Sequence, residues 1–478
     1  MSEAARFPTV VLNPWLREIP ASARADMRVP VRIYADDELW RQIASDRSLE
    51  QAVNVSTLPG VTGYVYAMPD VHEGYGFPVG GVAATRTSDG VISPGGVGYD
   101  INCGVRLLAS DLAFESVAAQ LETVVHELSR SIPSGPGRNP KLDLRGPDLD
   151  RVLQDGCRFM LERGLALPED LSTIEAGGVL DGADAGLVSS KAKQRGHDQL
   201  GTIGSGNHFV EVQVVDRVFD DTAATAYGLR SCQLTMLIHT GSRGLGHQVC
   251  TDYVRRMDQV MAQYGIRLPD RQLACAPLAS AEGRAYYAAM CAAANFAWSN
   301  RQAITGSARS VFARAFGAAG ALHVVYDVAH NIAKLEQHGG ATLCVHRKGA
   351  TRAFGPSHPE TPEAYRSVGQ PVFIPGSMGT ASYVLAGTDE ALELSFGSTC
   401  HGAGRVMSRG AAKRLRTGAE IRRELEGMGI VVRCPSSTGL AEEAPTAYKD
   451  VERVVDVVQG AGLARKVARL RPVGVIKG

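Results

Sequence analysis

The amino-acid sequence predicts one large α+β domain that spans residues 1–478. Segments with the character of strands and segments with helical periodicity both occur along the chain, and no internal repeat is evident. The candidate metal-binding residues described below come from positions between 100 and 330, so no cut in that region would leave a complete site on either side. These observations favour a single mixed domain.

Three segments are predicted to be strands. Residues 234–238 and 322–328 are short runs of apolar side chains, and Val210, Val212 and Val214 alternate with other residues at the period of a strand. Each segment begins or ends at a polar or glycine-containing turn. Such turns are where rigid scaffolds present binding and catalytic groups.

Two segments are predicted to be helices. Apolar residues recur at helical spacing in residues 115–131, and the alanine-rich stretch 280–304 is predicted to cross the core. Residues 132–140, rich in proline and glycine, predict a surface loop, and residues 434–439 predict a second break.

Side chains that bind metals recur at the ends of the candidate strands. Asp100 and Cys103 offer a hard carboxylate and a soft thiolate three positions apart, a pair that suits a divalent transition metal. His239 and His330 each follow a candidate strand, and His208 precedes the third. A lone histidine or cysteine in such a place is more often a core residue. The repetition of the pattern at three strands predicts a metal site.

His401 lies at the mouth of a glycine-rich loop, Gly402–Gly404. Backbone N–H groups in such a loop can cradle a phosphate. An unperturbed imidazole has a pKa near ~6.5, so a neutral, nucleophilic histidine is available near neutral pH without a separate base. A nucleophilic imidazole beside a phosphate-binding loop and a metal predicts nucleotidyl transfer, with His401 carrying the nucleotide.

Seven blocks of the sequence carry a resemblance to a known family. They are residues 68–72, 74–77, 93–106, 204–209, 239–244, 345–352 and the loop at His401. Together and in this order they resemble the RtcB-type RNA-splicing ligases, and the tract around Ser93 is closer to the archaeal and eukaryotic branch. The resemblance runs from about Met68 to Gly478.

The resemblance implies a role for particular residues. Asp100, Cys103 and His208 would hold one manganese ion, and Cys103, His239 and His330 would hold a second, with the thiolate bridging. His401 would accept GMP on its imidazole. The nucleotide site that the resemblance implies is formed by Asn207, His208, Phe209, Val210, Glu211, His330, Asn331, Pro375, Gly376, Ser377, Met378, Ser382, His401, Gly402, Ala403, Gly404 and Lys477.

The resemblance also implies an activity. Such enzymes join an RNA 3′-phosphate or 2′,3′-cyclic phosphate to a 5′-hydroxyl, with GTP as cosubstrate and two Mn²⁺ ions, in tRNA splicing or RNA repair. Expected partners are RNA, GTP and an archease-type activating protein. Two alternatives are a metal-dependent phosphoesterase acting on small phosphorylated molecules and a non-catalytic RNA-binding scaffold. The phosphoesterase would use the same metals but would not need a loop that holds a guanylylated histidine.

The overall charge does not by itself indicate a protein that binds nucleic acid, because 50 basic and 50 acidic residues give a net charge of zero. Local clusters do favour RNA. We expect at least some of them to contact RNA phosphates. The clusters are Lys191, Lys193 and Arg195; Arg347, Lys348 and Arg352; and Arg405, Arg409, Lys413, Arg414 and Arg416.

Several other classes are disfavoured by what the sequence lacks. It contains neither a P-loop motif nor a Lys-x-Asp-Gly motif, which disfavours a P-loop nucleotidase and a ligase that uses a lysine nucleophile. Nine cysteines without a Cys-x-x-Cys pair favour reduced thiols. The N-terminus lacks an apolar signal region, and the longest uncharged helical run, 285–300, is too short to span a bilayer. We therefore expect a cytoplasmic protein without a membrane segment.

Overall fold

The structure, a computed structural model, describes residues 6–135 and 146–478. Helices and strands are mixed along both ranges, which confirms the α+β class. The single domain over residues 1–478 stays a prediction. Within these ranges no helix combines the length and the apolar character needed to cross a membrane.

The strands are numbered in chain order. They are β1 Val10–Asn13, β2 Leu16–Ile19, β3 Val31–Tyr34, β4 Val61–His72, β5 Val79–Arg86, β6 Val91–Ile92, β7 Gly104–Ala113, β8 Phe209–Val218, β9 Gln233–Thr240, β10 Ala276–Pro277, β11 Leu322–Ala329, β12 Asn331–His338, β13 Ala341–Lys348, β14 Ala350–Arg352, β15 Pro371–Ile374, β16 Ser382–Gly387, β17 Ser398–Cys400, β18 Val431–Arg433 and β19 Ala464–Lys477.

The α-helices are numbered in the same way. They are α1 Asp37–Ile43, α2 Arg47–Val55, α3 Phe114–Val117, α4 Leu121–Ser131, α5 Pro147–Asp155, α6 Cys157–Glu162, α7 Pro168–Ser172, α8 Ser190–Gly196, α9 Asp221–Ala226, α10 Arg243–Val260, α11 Ala281–Phe316, α12 Ala391–Ser395, α13 Arg409–Leu415, α14 Gly418–Gly427, α15 Ser437–Glu442 and α16 Val451–Gly460.

The first sheet has the strand order β1-β2-β3-β4-β5-β13-β12. Its central strands are antiparallel, so the end of β4 lies beside the start of β5, where His72 pairs with Val79. The end of β13 and the start of β12 lie at the same edge, because Lys348 pairs with both Gly81 and Asn331. One edge of this sheet therefore collects the ends of four neighbouring strands.

The second sheet has the order β11-β7-β9-β8-β19-β16-β15, with β18 parallel to part of β19. Strand β7 is antiparallel to both of its neighbours, so its first residue, Gly104, pairs with Thr240 near the end of β9 and with Ala329 at the end of β11. Strand β8 begins at Phe209, which pairs with His239. All the positions predicted to bind metal therefore lie at one edge of this sheet.

His330 is the single residue between the two sheets, since β11 ends at Ala329 and β12 begins at Asn331. Its backbone is fixed from both sides. The N–H of His330 donates to the carbonyl oxygen of Cys103 at 2.9 Å, and the N–H of Ala350 donates to the carbonyl oxygen of His330 at 3.1 Å. The edges of the two sheets at which these strand ends collect therefore meet at His330.

Helix α11 packs against the second sheet. It begins after Ser280, whose hydroxyl accepts from the N–H of Gly283 at 3.0 Å. Residues 289–305 are all buried, which is the pattern of a helix surrounded by other elements. The small alanine side chains allow this close packing, and the few polar residues among them, such as Asn300 and Arg301, bind backbone groups near the site.

The predicted elements can be compared with this fold. The strands predicted at 210–214, 234–238 and 322–328 are confirmed as parts of β8, β9 and β11, and the helix at 280–304 is confirmed within the longer α11. The helix predicted at 115–131 is continuous only from Leu121. Val117 has φ −125° and ψ 0°, outside the helical region, and a 3₁₀ turn follows it.

The two predicted breaks have different outcomes. Residues 132–135 lie outside the helices and strands, as expected, and residues 136–140 lie outside the described residues. The break at 434–439 is wrong in its second half, because α15 begins at Ser437. The hydroxyl of Ser436 accepts from the N–H of Gly439 at 2.9 Å and caps that helix.

Candidate functional site

Five candidate metal ligands converge where the two sheets meet. One ligand atom from each of Cys103, His239 and His330 lies within 4.8 Å of the other two, and the same holds for Asp100, Cys103 and His208. Cys103 belongs to both groups. Its Sγ lies 3.3 Å from Nε2 of His208 and 3.5 Å from Nε2 of His239. The structure thus brings together the same two sets that the sequence predicted.

The side chain of Arg301 ties together the strand ends that carry these ligands. One guanidinium nitrogen donates to the carbonyl oxygens of Asn102 at 2.9 Å and Thr240 at 2.8 Å. The other nitrogens bind the carboxylate of Asp327 at 2.8 Å, which also accepts from Arg106 at 2.7 Å. Asn102, Thr240 and Asp327 lie near Cys103, His239 and His330 in the chain. Arg301 therefore fixes the spacing of the second candidate ligand set.

The hydrogen bonds of Arg301 also stabilise an unusual backbone conformation. Asn102 has φ +50°, in the left-handed region that few residues other than glycine adopt. Its Oδ1 accepts from Arg301 at 3.0 Å and its Nδ2 donates to the carbonyl oxygen of Ala294 at 2.8 Å. The conformation turns the chain sharply between Asp100 and Cys103, so both side chains face the same point.

The donor set fits a divalent transition metal. Burial raises the pKa of the Cys103 thiol well above its usual value, and Asp100 adds to the effect. Burial, with a smaller contribution from neighbouring histidines, lowers the pKa of His239 and His330 well below the usual value. These two imidazoles are therefore neutral, with lone pairs available. A bound cation would favour the thiolate form of Cys103 and link the hard and soft donors.

Asp100 is held close to the start of α10. Its Oδ1 accepts from the backbone N–H of Arg243 at 3.1 Å and from the hydroxyl of Ser242 at 3.3 Å, and its Oδ2 lies 2.8 Å from Nε2 of His208. A Cβ atom at position 241 would lie 2.5 Å from the Asp100 carboxylate. Glycine is therefore required at position 241 for this approach.

His401 follows β17 and is oriented by a buried carboxylate. Its Nδ1 lies 2.6 Å from Oδ2 of Asp70, near the end of β4 in the first sheet. In the neutral imidazole, a carboxylate at this nitrogen favours the tautomer with the proton on Nδ1 and the lone pair on Nε2. The ring centroid of His401 lies 4.8 Å from that of His330. A nucleophilic nitrogen is therefore available beside the candidate metal ligands.

The glycine loop after His401 differs from its predicted use. The N–H groups of His401 and Gly402 donate to Oδ2 of Asp70 at 3.1 and 3.3 Å, so they fix the carboxylate and are not free for phosphate. Among the described residues, the N–H groups of Ala403 and Gly404 have no acceptor. A Cβ at Gly404 would lie 2.2 Å from the carbonyl oxygen of Asp70, which explains the glycine there.

A cavity of about 780 Å³ contains His401 and the candidate metal ligands. Most of the residues expected to bind nucleotide line it as well. They are Asn207, His208, Phe209, His330, Asn331, Pro375, Gly376, Ser377, Met378, His401, Gly402, Ala403, Gly404 and Lys477. Their roles stay predictions, but the structure brings them to one place.

Three residues of the predicted nucleotide site lie behind the cavity wall. Val210 is buried in the core with Val212 and Val214 and does not line the cavity. The amide nitrogen of Gln213 donates to Glu211 at 2.8 Å and to Ser382 at 3.0 Å. Burial raises the pKa of Glu211 to about 8, against the opposing effects of Gln213 and Lys477. Glu211 is therefore protonated near neutral pH.

Lys477 is docked by the pairing of β19 with β8, in which it lies opposite Phe209. Only 1% of the residue is exposed. Its ammonium group donates to the carbonyl oxygens of Gly206 and His208. The end of the chain is therefore part of the second sheet and of the cavity wall.

Not all of the basic residues in the predicted clusters are placed to contact RNA. Arg347 and Arg352 are buried and bind carboxylates, Arg347 to Glu336 at 2.6 Å and Arg352 to Glu360. Lys348 lines the cavity, but its ammonium group donates to backbone carbonyls. These cations stabilise the interior because buried charges require such partners. The clustering of basic residues along the sequence did not distinguish these buried cations from cations on the surface.

Other predicted cations do face the cavity. Arg195, Arg405 and Arg409 line it, and the buried carboxylate of Glu443 binds Arg405 at 2.9 Å and Arg409 at 2.8 Å. Lys413 and Arg416 are paired with Glu442 and Glu424 on the surface.

Two important residues were missed by the sequence reasoning. Asp70 lies inside the block at 68–72, but nothing local indicates that its carboxylate meets His401 more than three hundred residues later. Arg301 lies in an alanine-rich helix, and an arginine in such an uncharged, buried stretch was the available signal.

Comparison with known proteins identifies the family. The family model described as tRNA-splicing ligase RtcB matches residues 51–478. The chain belongs to the RtcB family. This confirms the resemblance that the sequence motifs carried.

The RtcB relatives share about half of their residues with this chain. A protein of Archaeoglobus fulgidus named tRNA-splicing ligase RtcB is 53% identical over 468 residues, which cover 96% of this chain and 97% of the relative. One of Thermococcus kodakarensis with the same name is 54% identical over 459 residues, 95% of each chain. One of Mycobacterium bovis, named RNA-splicing ligase RtcB, is 54% identical over 437 residues, 90% of this chain and 100% of the relative.

Substitution of the shared ligand tests the two candidate metal sites. Cys103→Ser should weaken both sites, because a serine hydroxyl stays protonated and binds transition metals poorly. The loss of metal affinity should exceed the roughly 10–100-fold loss that is typical when a residue that supports the ligands is replaced. Manganese titration measures it, with Cys250→Ser, a buried cysteine outside both sets, as the control. Two unchanged sites in Cys103→Ser would refute the shared thiolate.

The raised pKa of Glu211 predicts a pH-dependent stability. Since the folded protein holds this proton up to about pH 8 and the unfolded chain only to about 4.5, the stability from Glu211 is lost as pH rises through that window. The upper limit is about 1.4 kcal/mol per pH unit. The melting temperature of Glu211→Gln minus that of the wild type should therefore rise with pH between about 4.5 and about 8 and stay constant above that range. The exposed Glu122→Gln should give no such trend, and a flat difference for Glu211→Gln would contradict the shift.

Proposed function

We propose that this protein is an RNA ligase that joins an RNA 3′-phosphate to an RNA 5′-hydroxyl through GMP carried on His401. The observation that supports it best is the orientation of His401. Its Nδ1 is held by Asp70 at 2.6 Å, which leaves Nε2 available inside a cavity of about 780 Å³ beside the candidate metal ligands. The names of the RtcB relatives support joining of RNA in tRNA splicing.

In the first step, Nε2 of His401 attacks the α-phosphorus of GTP. A nitrogen–phosphorus bond forms, and the bond to the leaving pyrophosphate breaks. Asp70 keeps the proton of His401 on Nδ1 and stabilises the positive charge that the ring acquires on bonding to phosphorus. The free N–H groups of Ala403 and Gly404 are in position to bind phosphate oxygens near the loop.

In the later steps, the RNA 3′-phosphate attacks the phosphorus of the carried GMP. The nitrogen–phosphorus bond breaks, His401 is restored, and the RNA end carries GMP through a pyrophosphate link. The RNA 5′-hydroxyl then attacks the 3′-phosphorus, loses its proton and releases GMP. A 2′,3′-cyclic phosphate end first takes up water to become a 3′-phosphate.

Two Mn²⁺ ions would be held by the two ligand sets that share Cys103. Bound there, they would offset phosphate charge and bring attacking and leaving oxygens together. The protein contributes three ligands to each set, which leaves coordination positions open for oxygens of the substrate. Arg405 and Arg409, fixed by Glu443, add positive charge on the same cavity.

Lys477, in the cavity wall, would favour GTP over ATP. Guanine offers two acceptors, O6 and N7, that suit a cation, whereas adenine places an amino group where O6 would be. Lys477 supplies an ammonium group in the cavity wall, close to Glu211 behind it. Physiological partners under this proposal are GTP, cleaved RNA such as tRNA halves, and an archease-type activator in the cytoplasm.

The alternative of a small-molecule phosphoesterase is less well supported. Such an enzyme uses its metals to activate a water nucleophile, so it does not require a nucleophilic nitrogen beside them. The orientation of His401 is therefore the feature that favours nucleotidyl transfer over hydrolysis.

Substitution of His401 tests the proposal directly. Wild-type protein incubated with labelled GTP and manganese should form a protein–GMP adduct that is labile to acid and stable to alkali. His401→Ala should bind manganese but form no adduct, and a variant that still labels would contradict the assignment. Asp70→Asn should slow adduct formation on the order of a hundredfold or more, because an amide favours the wrong tautomer. Asp111→Asn, an exposed carboxylate, is the matched control.

A further inference from the structure

Three aromatic side chains form a shelf at the rim of the cavity. The rings of Tyr99 and His247 are stacked, with centroids 4.7 Å apart and an interplanar angle of 29°. The ring of Tyr75 meets Tyr99 edge-on at 5.3 Å. Tyr99 directly precedes the candidate ligand Asp100, and His247 is exposed at the cavity. None of these rings takes part in the steps proposed above.

The shelf is held rigidly by its surroundings. The ammonium group of Lys348 donates to the carbonyl oxygens of Tyr75 at 2.6 Å and Phe77 at 3.0 Å. The N–H of Gly76 donates to the side chain of Gln272 at 3.0 Å. A surface fixed in this way loses little conformational entropy when a ligand stacks on it.

A second groove of about 330 Å³ continues from the shelf. Tyr99 lines both this groove and the main cavity, so the two are adjacent. Helix α10 forms one wall, because its residues Thr251, Arg255 and Asp258 follow His247 at the spacing of one helix face. The shelf and the groove therefore form one path that leads outward from the candidate active site.

The groove carries an unpaired cation. Arg255 is exposed and, within residues 6–135 and 146–478, has no hydrogen-bond or ion-pair partner. Arg271, on the opposite wall, is neutralised by Asp258 at 2.9 Å. The neighbouring Arg256 points away from the groove and lies 3.5 Å from Glu282. The net charge of the groove is therefore positive, and Arg255 is the cation available to a ligand.

We propose that Tyr75, Tyr99, His247 and Arg255 form a subsite for single-stranded RNA that extends from the active-site cavity. Bases stack on aromatic rings without regard to sequence, and a cation along the path contacts the phosphates. Val254 is the one aliphatic side chain among the residues that line the groove, and the others are aromatic, polar or charged, which suits a nucleic acid better than an apolar peptide. The inference rests on the proposed function, since it assigns the path that an RNA strand takes out of the cavity.

Matched variants of α10 test the contact with phosphate. Binding is measured by fluorescence polarisation with RNA whose ends cannot react, in lengths of roughly 4 and roughly 16 nucleotides. Arg255→Gln should weaken binding of the long RNA several-fold and reduce the slope of log K against log salt by about 0.7, the loss of one contact to a single strand. Arg256→Gln removes the same charge one residue away and should leave binding unchanged.

Variants of His247 test the stacking. His247→Ala should weaken binding of the long RNA by about tenfold, as expected for the loss of one stacked base. His247→Phe keeps an aromatic face without the imidazole and should restore binding, which a purely structural role would not predict. Guanylylation of His401 without RNA reports whether the catalytic site of each variant is intact.

The outcomes separate this inference from the proposed function. Because the RNA has unreactive ends, binding reports the groove even if the protein joins no RNA. The inference is overturned if Arg255→Gln and His247→Ala bind the long RNA like the wild type. It is also overturned if they impair only the binding of a protein activator. An absence of guanylylation in the wild type, with groove-dependent RNA binding, would instead reject the proposed function alone.

Discussion

The guanidinium group of Arg301 is the contact on which the arrangement of the site depends. It binds two backbone carbonyls and one carboxylate, and these belong to β9, to β11 and to the turn before β7. All of these groups are buried, so each needs its partner. Burial opposes the charged form of Asp327, but Arg301 and Arg106 outweigh it and hold the pKa of Asp327 below its usual value. Removing one member of a buried ion pair typically costs about 3–5 kcal/mol.

The two sheets contribute different parts of the site. The second sheet brings the candidate metal ligands together, because four neighbouring strands begin or end at one edge. The first sheet supplies Asp70, which orients His401, and His330 joins the two sheets. The orientation of the candidate nucleophile and the grouping of the candidate metal ligands thus depend on different sheets, which meet at His330. This explains how groups from distant parts of the chain share one cavity.

The strands that carry the site could be predicted from the sequence, since each is a short apolar run that ends in a polar turn. The candidate metal ligands could be proposed from the sequence because they repeat at these strand ends. The Asp70–His401 contact could not be predicted, because it joins positions 331 residues apart and depends on the packing of two sheets. The burial of the basic cluster at 347–352, which was expected to favour RNA contacts, could not be predicted for a related reason. Arg347 is paired with Glu336, 11 residues away, and Arg352 with Glu360, 8 residues away, but a charge pattern does not reveal that the two arginines are buried.

Titration of the protein with cobalt(II), followed by its visible absorption, shows whether Arg301 positions the candidate metal ligands. Arg301→Lys keeps the charge but loses the planar fork, so the site formed by Cys103, His239 and His330 should bind weakly and with an altered spectrum. Arg309→Lys is the matched control, since Arg309 lies on the same helix and forms a bidentate pair with Asp170, outside the ligand sets. We expect a changed cobalt spectrum for Arg301→Lys and a wild-type spectrum for Arg309→Lys. A wild-type spectrum and two wild-type affinities in Arg301→Lys would contradict this expectation.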